Sequence, residues 1–113
     1  MLRGELYDLI SIKTEGAVTE ALLHLRPESI IYKAHFEGMP ITPGMCLVSI
    51  ASELAGRGSL TGAKEIRFLS PVEPGSVTEL RYRLEETAPG KISVLVSAAE
   101  GDLLYSKMSL VYE

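Results

Sequence analysis

A histidine and a glycine stand at the two ends of a turn-rich segment whose groups can do chemistry. A histidine side chain has an ordinary pKa of about 6.5, so the imidazole of His35 is suited to take up a proton near neutral pH. Gly44 opens an apolar stretch with helical spacing, and free backbone N–H groups at a helix N-terminus stabilise a developing negative charge. Together they predict a site that removes a proton beside a carbonyl group and holds the charge on its oxygen.

The elements that must position these groups follow from the pattern of apolar residues. Residues 36–43 contain two prolines and a glycine and are predicted to form a loop. From Gly44 to Ala55, apolar residues recur near helical spacing on almost every side, which predicts one buried helix. Alternating or apolar runs predict strands at 7–13, 17–25, 63–69, 77–86, 91–99 and 103–112. We therefore expect a single α+β domain over residues 1–113, an antiparallel sheet wrapped around one helix.

Composition narrows the class of protein. The chain has 113 residues, 46% of them hydrophobic, which suits one globular domain with its own core. Its net charge of −4 and its lack of a Lys/Arg run argue against a nucleic-acid-binding protein. The single cysteine, Cys46, allows neither an internal disulfide nor a zinc cluster. No apolar run is long enough to span a membrane, so we expect a cytoplasmic protein without metal or cofactor.

Two motifs resemble those of the β-hydroxyacyl-acyl-carrier-protein dehydratases, which have the hotdog fold. Residues 35–44 contain every fixed position of the pattern H-F-x-G-x-P-x-x-P-G. The second motif is an Arg-Phe pair, Arg67-Phe68, followed by Pro-Val-x-Pro-Gly at residues 71–75. The two occur in the expected order, about 30 residues apart. The resemblance covers most of the chain and implies a hotdog dehydratase acting on acyl thioesters.

The resemblance also implies roles for individual residues. His35 matches the catalytic histidine, and Gly44 matches the glycine whose amide polarises the thioester carbonyl. The family's sites lie at a dimer interface, and an open sheet edge independently favours a homodimer or higher oligomer. Substrate-binding residues are then expected at Phe36, Gly38, Pro43, Met45, Val48 and Phe68, and a docking patch for an acidic acyl carrier protein at Arg57, Lys64 and Arg67.

One position departs from the family. A Glu or Asp normally follows the histidine by fourteen positions on the helix, and here that position is Ser49. A serine can hold a water molecule but cannot donate a proton as a carboxylic acid does. Glu53, one turn further along the same face, is the carboxylate that this helix offers as a replacement. The alternative for Glu53 is an ordinary role at the solvent edge of the helix, or a pair with Arg57.

Three functions therefore stay open. The first is dehydration of a 3-hydroxyacyl thioester that is attached to acyl carrier protein or coenzyme A. Water held by Ser49, or Glu53, would then protonate the leaving hydroxyl group. The second is a non-catalytic or half-site subunit that pairs with a different hotdog partner. The third is a thioesterase on the same fold, including a version in which Ser49 and His35 act as nucleophile and base.

Overall fold

The computed structural model describes residues 2–29, 42, 44–56, 60–73 and 79–112. These residues form one α-helix and six strands. The elements are β1 (Tyr7–Glu15), β2 (Val18–Leu25), α1 (Gly44–Ala55), β3 (Leu60–Phe68), β4 (Glu79–Ala88), β5 (Lys91–Ala98) and β6 (Leu104–Tyr112). The predicted fold class is confirmed, and the predicted helix has the same bounds as α1.

The strands form one antiparallel sheet in the order β1-β2-β4-β5-β6-β3. Hairpin turns connect neighbours such as β4 and β5, where Gly90 has a φ of 76°. A side chain at Gly90 would lie 2.5 Å from the carbonyl oxygen of Tyr112, so this turn requires glycine both for its backbone angle and for space. β3 pairs with β6 at one edge of the sheet, and β1 forms the other edge.

The core lies between α1 and one face of the sheet. Every second residue of the central strands is buried there, as the two-residue period of a strand requires. The buried residues include Ala21, Leu23 and Leu25 of β2, Leu80, Tyr82 and Leu84 of β4, Ile92, Val94 and Val96 of β5, and Met108, Leu110 and Tyr112 of β6. Among the described residues, no helix has the length and apolar character needed to cross a membrane.

The helix buries one face rather than its whole circumference. Leu47, Val48, Ile50 and Ala51 are buried against the sheet. Met45 is 68% exposed, and Ser49, one turn later on the same side, is exposed as well. The expectation of a helix buried nearly all round was therefore wrong, because the sheet covers only one side of α1 within this chain.

Three tyrosines from three strands hold α1 on the sheet. The hydroxyl of Tyr82 on β4 donates to the carbonyl oxygen of Leu47 at 2.9 Å. The hydroxyl of Tyr112 on β6 lies 3.2 Å from Oγ of Ser52, and that of Tyr7 on β1 donates to Glu53 at 3.1 Å. Each tyrosine thus contributes a buried ring to the core and a polar tip to the helix.

The Tyr82 contact is expected to contribute measurably to stability. Tyr82→Phe keeps the ring and removes a buried hydrogen bond, so it should lower the free energy of unfolding by about 1 kcal/mol. Urea unfolding followed by circular dichroism measures this change. Tyr112→Phe is the matched control and should cost less, because its contact with Ser52 is only partly buried. An equal or larger loss for Tyr112→Phe would contradict this ranking.

Candidate functional site

The first turn of α1 offers backbone donors and contains no acidic residue. The first N–H groups of a helix have no partner within the helix, and the first turn of α1 contains no Asp or Glu. The chain before the helix is tied to the segment after β3, because the N–H of Thr42 donates to the carbonyl oxygen of Val72 at 2.7 Å. This hydrogen bond brings the ends of the two sequence motifs together.

A cavity of about 340 Å³ lies at this junction, near the small end of the range of small-molecule sites. Its walls come from the start of α1 and from the segment that ends β3, and they are mainly apolar with two hydroxyl groups. The lining residues are Thr42, Gly44, Leu47, Phe68, Leu69, Ser70, Pro71 and Val72. Such a cavity suits a short apolar chain attached to a polar group at the helix N-terminus.

The Phe68 ring lies directly against Gly44. A Cβ atom added at Gly44 would lie 2.5–2.9 Å from three atoms of that ring. The ring itself is 55% exposed. Glycine at this position therefore lets an aromatic ring, and equally a substrate, approach the backbone at the start of the helix.

The predicted substrate-binding residues that the structure describes do not all lie at this cavity. Phe68 borders the cavity, whereas Met45 faces outward and Val48 is buried in the core, and neither borders this cavity. Leu47 and Val72 contribute apolar side chains to the cavity wall. Leu47 stands three residues after Gly44, a spacing that places the two side by side on a helix and could have identified it from the sequence.

Several predicted residues fall outside the part of the chain that the structure describes. They are His35, Phe36, Gly38, Pro43 and Arg57. Their assigned roles stay predictions.

Ser49 does not point towards this cavity. It is exposed on the side of α1 that carries Met45, away from the buried residues. Any reacting group that Ser49 contacts must therefore come from another chain or from residues outside the described ranges. This exposure is compatible with a site completed at a subunit interface.

Glu53 is engaged elsewhere. Its carboxylate accepts hydrogen bonds from the backbone N–H groups of Leu2 at 2.8 Å and Arg3 at 3.1 Å, and from the Tyr7 hydroxyl at 3.1 Å. Burial, and then the charge of Glu53, raise the pKa of Tyr7 well above its usual range, so Tyr7 stays a donor. Because all three partners are donors, the carboxylate acts as an acceptor that clamps the N-terminal segment to α1. The described contacts of Glu53 are thus structural, and its role as a replacement for the missing acid stays a prediction.

Cys46 offers no nucleophile at this site. It is half-buried, and burial raises the pKa of its thiol. A thiol whose pKa is raised carries less of the reactive thiolate near neutral pH.

The six-stranded antiparallel sheet packed against one helix is a hotdog fold. A family model described as the ApeI dehydratase, ApeI-like, matches residues 11–107, and the chain belongs to this family. The broader prediction of a hotdog dehydratase family is confirmed, and the specific resemblance to β-hydroxyacyl-acyl-carrier-protein dehydratases stays a prediction. No curated protein matches the sequence.

A solved structure supports the fold. A chain of the dehydratase heterocomplex ApeI:P from Xenorhabdus doucetiae matches with a TM-score of 0.78 at 15% sequence identity. The match covers 93% of this chain and 96% of that chain. Similarity at this level of identity shows that the two proteins share the hotdog fold.

The contact between Gly44 and Phe68 can be tested by adding one methyl group. Gly44→Ala should displace the exposed Phe68 ring at a cost of about 0.5–1.5 kcal/mol, because the ring must leave its position against the helix. Nuclear Overhauser contacts between the Phe68 ring and residue 44 measure the displacement. Gly62→Ala is the control, since a Cβ there meets nothing within 4 Å. Unchanged ring contacts in Gly44→Ala would contradict the packing.

The structural role of Glu53 predicts a loss of stability. Glu53→Gln removes the negative charge and one acceptor oxygen from three donors, and should lower the free energy of unfolding by about 1–3 kcal/mol. Hydrogen exchange at Leu2 and Arg3 should accelerate, and the pKa of Tyr7 should fall towards its ordinary value in an ultraviolet titration. A variant with unchanged stability and exchange would show that the clamp is not formed in solution.

Proposed function

We propose that this chain dehydrates 3-hydroxyacyl thioesters to trans-2-enoyl thioesters as a subunit of a dehydratase complex. One observation carries the proposal: the described residues of the two motifs line one apolar cavity beside the N-terminus of α1, whose first turn contains no acidic residue. Membership of the ApeI-like dehydratase family supports the same reaction. The cavity matches the demands of the substrate, since an acyl chain needs apolar walls and a thioester oxygen needs hydrogen-bond donors.

The proposed reaction needs a base, hydrogen-bond donors for the thioester oxygen, and a general acid. The base and the donors belong to this chain. The His35 imidazole removes a proton from the carbon next to the thioester carbonyl, and the resulting negative charge moves to the carbonyl oxygen. Backbone N–H groups at the start of α1, Gly44 among them, stabilise that oxygen. As the double bond forms, the 3-hydroxyl group leaves as water after accepting a proton from a general acid.

The general acid is expected to come from a different subunit. Ser49 cannot donate a proton as a carboxylic acid does, and Glu53 is bound to the N-terminal segment. The matched Xenorhabdus structure is a heterocomplex. By analogy, we infer that this chain pairs with a second hotdog protein whose helix carries an acid. Such a heterodimer would contain one complete site, formed by His35 and the partner's acid.

The thioesterase alternative that uses Glu53 is less well supported, because that side chain contacts Leu2, Arg3 and Tyr7. The version with Ser49 and His35 as nucleophile and base stays a prediction, since His35 lies outside the described residues. No observation on the described residues favours hydrolysis over dehydration.

Activity measurements test the proposal. The chain, alone and with a co-purified hotdog partner, is given 3-hydroxybutyryl and crotonyl thioesters, and enoyl formation and thiol release are followed separately. We expect weak or no turnover alone, turnover with the partner, and loss of turnover in His35→Ala. Thiol release without enoyl formation, or turnover that survives His35→Ala, would overturn the proposal.

Restoring the acid tests the role of position 49 directly. Ser49→Glu should raise dehydration by the isolated chain by about 10²–10⁴-fold, the usual contribution of one acid–base group. Met45→Glu is a matched control, because it adds a carboxylate to the same exposed side of α1 one turn earlier. Equal effects of the two substitutions would show that position 49 has no special place in the reaction.

A further inference from the structure

The edge of the sheet that lies next to the candidate site is β3. Phe68, at the end of this edge strand, lines the cavity, whereas no described residue of β1, at the other edge, lines it. An edge strand offers free backbone donors and acceptors to a further strand. A second subunit that extends the sheet at β3 would therefore lie beside the cavity.

An exposed apolar patch continues from this edge onto α1. Phe68 and Leu69 are exposed, and so is Met45, which follows Gly44, the residue against which the Phe68 ring lies. Single exposed apolar residues are ordinary, but a group of them around one site marks a surface for interaction. Ser49 is exposed one turn after Met45 on the same side. A subunit that covered this patch would bring its own groups beside the position that lacks a carboxylate.

The charged residues of β3 are mainly basic. Lys64 lies opposite Ser109 of β6, and Arg67 lies opposite Lys107, so both project from the side of the sheet that faces away from α1. Among the described residues, none of these three cations has a carboxylate at ion-pair distance. Glu65 stands between the two basic residues of β3, but the register with β6 skips it, and its φ is 53°. The edge therefore presents positive charge that this chain does not pair.

This charge acts against pairing with a second copy of the chain. In a two-fold symmetric pair, both subunits present the same segment, so Lys64 and Arg67 of one copy would meet Lys64 and Arg67 of the other. Like charges on directly paired strands destabilise a sheet, and Lys107 beside each Arg67 adds to the repulsion. Lysine and backbone irregularities are also features that protect edge strands from indiscriminate pairing. A partner strand with Asp or Glu at the facing positions would replace this repulsion by attraction.

We propose that Lys64 and Arg67 make this chain select a hotdog subunit with an acidic edge strand over a second copy of itself. The need for a second subunit rests on the proposed function, whereas the selection rests on the charges and the register of β3. The two basic residues are then determinants of partner choice, and the patch of Met45, Phe68 and Leu69 supplies the apolar part of the interface. The docking of a carrier protein at Lys64 and Arg67 stays a prediction.

Charge reversal tests the selection without the natural partner. Lys64→Glu/Arg67→Glu gives an otherwise identical chain an acidic edge, and this variant is mixed with the unaltered chain. The mixed pair should have a Kd about 10- to 100-fold lower than that of either chain with itself, because several cross-strand contacts change from repulsion to attraction. Added salt should shrink this difference. Analytical ultracentrifugation measures the three dissociation constants, and circular dichroism verifies folding. Lys64→Gln/Arg67→Gln, which only removes the charges, should strengthen self-association severalfold.

A matched control separates the position of the charges from their total. Lys13→Glu/Lys91→Glu makes the same change in net charge on β1 and β5, away from the β3 edge, and should not tighten association with the unaltered chain. Hydrogen exchange locates the contact, since the amides of residues 61–67 should become protected in the mixed pair.

Three results would overturn the selection: an equal gain in the control mixture, self-association of the unaltered chain as tight as the mixed pair, or protection on β1 instead of β3. Association is measured without substrate. Failed dehydration with charge-dependent pairing would therefore refute only the proposed reaction, and dehydration with pairing that ignores these charges would refute only the selection.

Discussion

The burial of one face of α1 is the constraint on which the rest of the structure depends. Leu47, Val48, Ile50 and Ala51 must leave water, and the inner face of the six-stranded sheet is the apolar surface that receives them. Covering a helix of 12 residues fixes which side of β2, β4, β5 and β6 is apolar. The cavity at the start of α1 is a consequence of this packing.

Hydrophobic burial alone would let the helix slide or rotate, and the tyrosines limit that freedom. Tyr82, Tyr112 and Tyr7 reach α1 from β4, β6 and β1, so three directional contacts define its position. The same position sets the helix N-terminus beside Val72 and turns Ser49 outward. Structural anchors far from the cavity thereby decide which side chains of α1 line the cavity and which are exposed.

The two unusual polar positions on α1 have different explanations. The half-buried carboxylate of Glu53 accepts hydrogen bonds from three donors of the N-terminal segment, which satisfy its charge. Ser49 makes no comparable demand, because its side chain is exposed to solvent. In the proposed function, a second subunit supplies the proton donor that Ser49 does not provide.

Sequence by itself determined the fold class, the bounds of α1 and the two motifs that meet at the cavity, because apolar periodicity and Gly/Pro turns are local properties of the chain. It named Phe68 and Gly44, which line the cavity, and also Met45 and Val48, which do not line it. Only the tertiary structure decided that Glu53 clamps Leu2 and Arg3, and that Lys107 stands opposite Arg67. Those facts depend on strand register and on contacts between residues far apart in the chain, which spacing along a sequence does not encode.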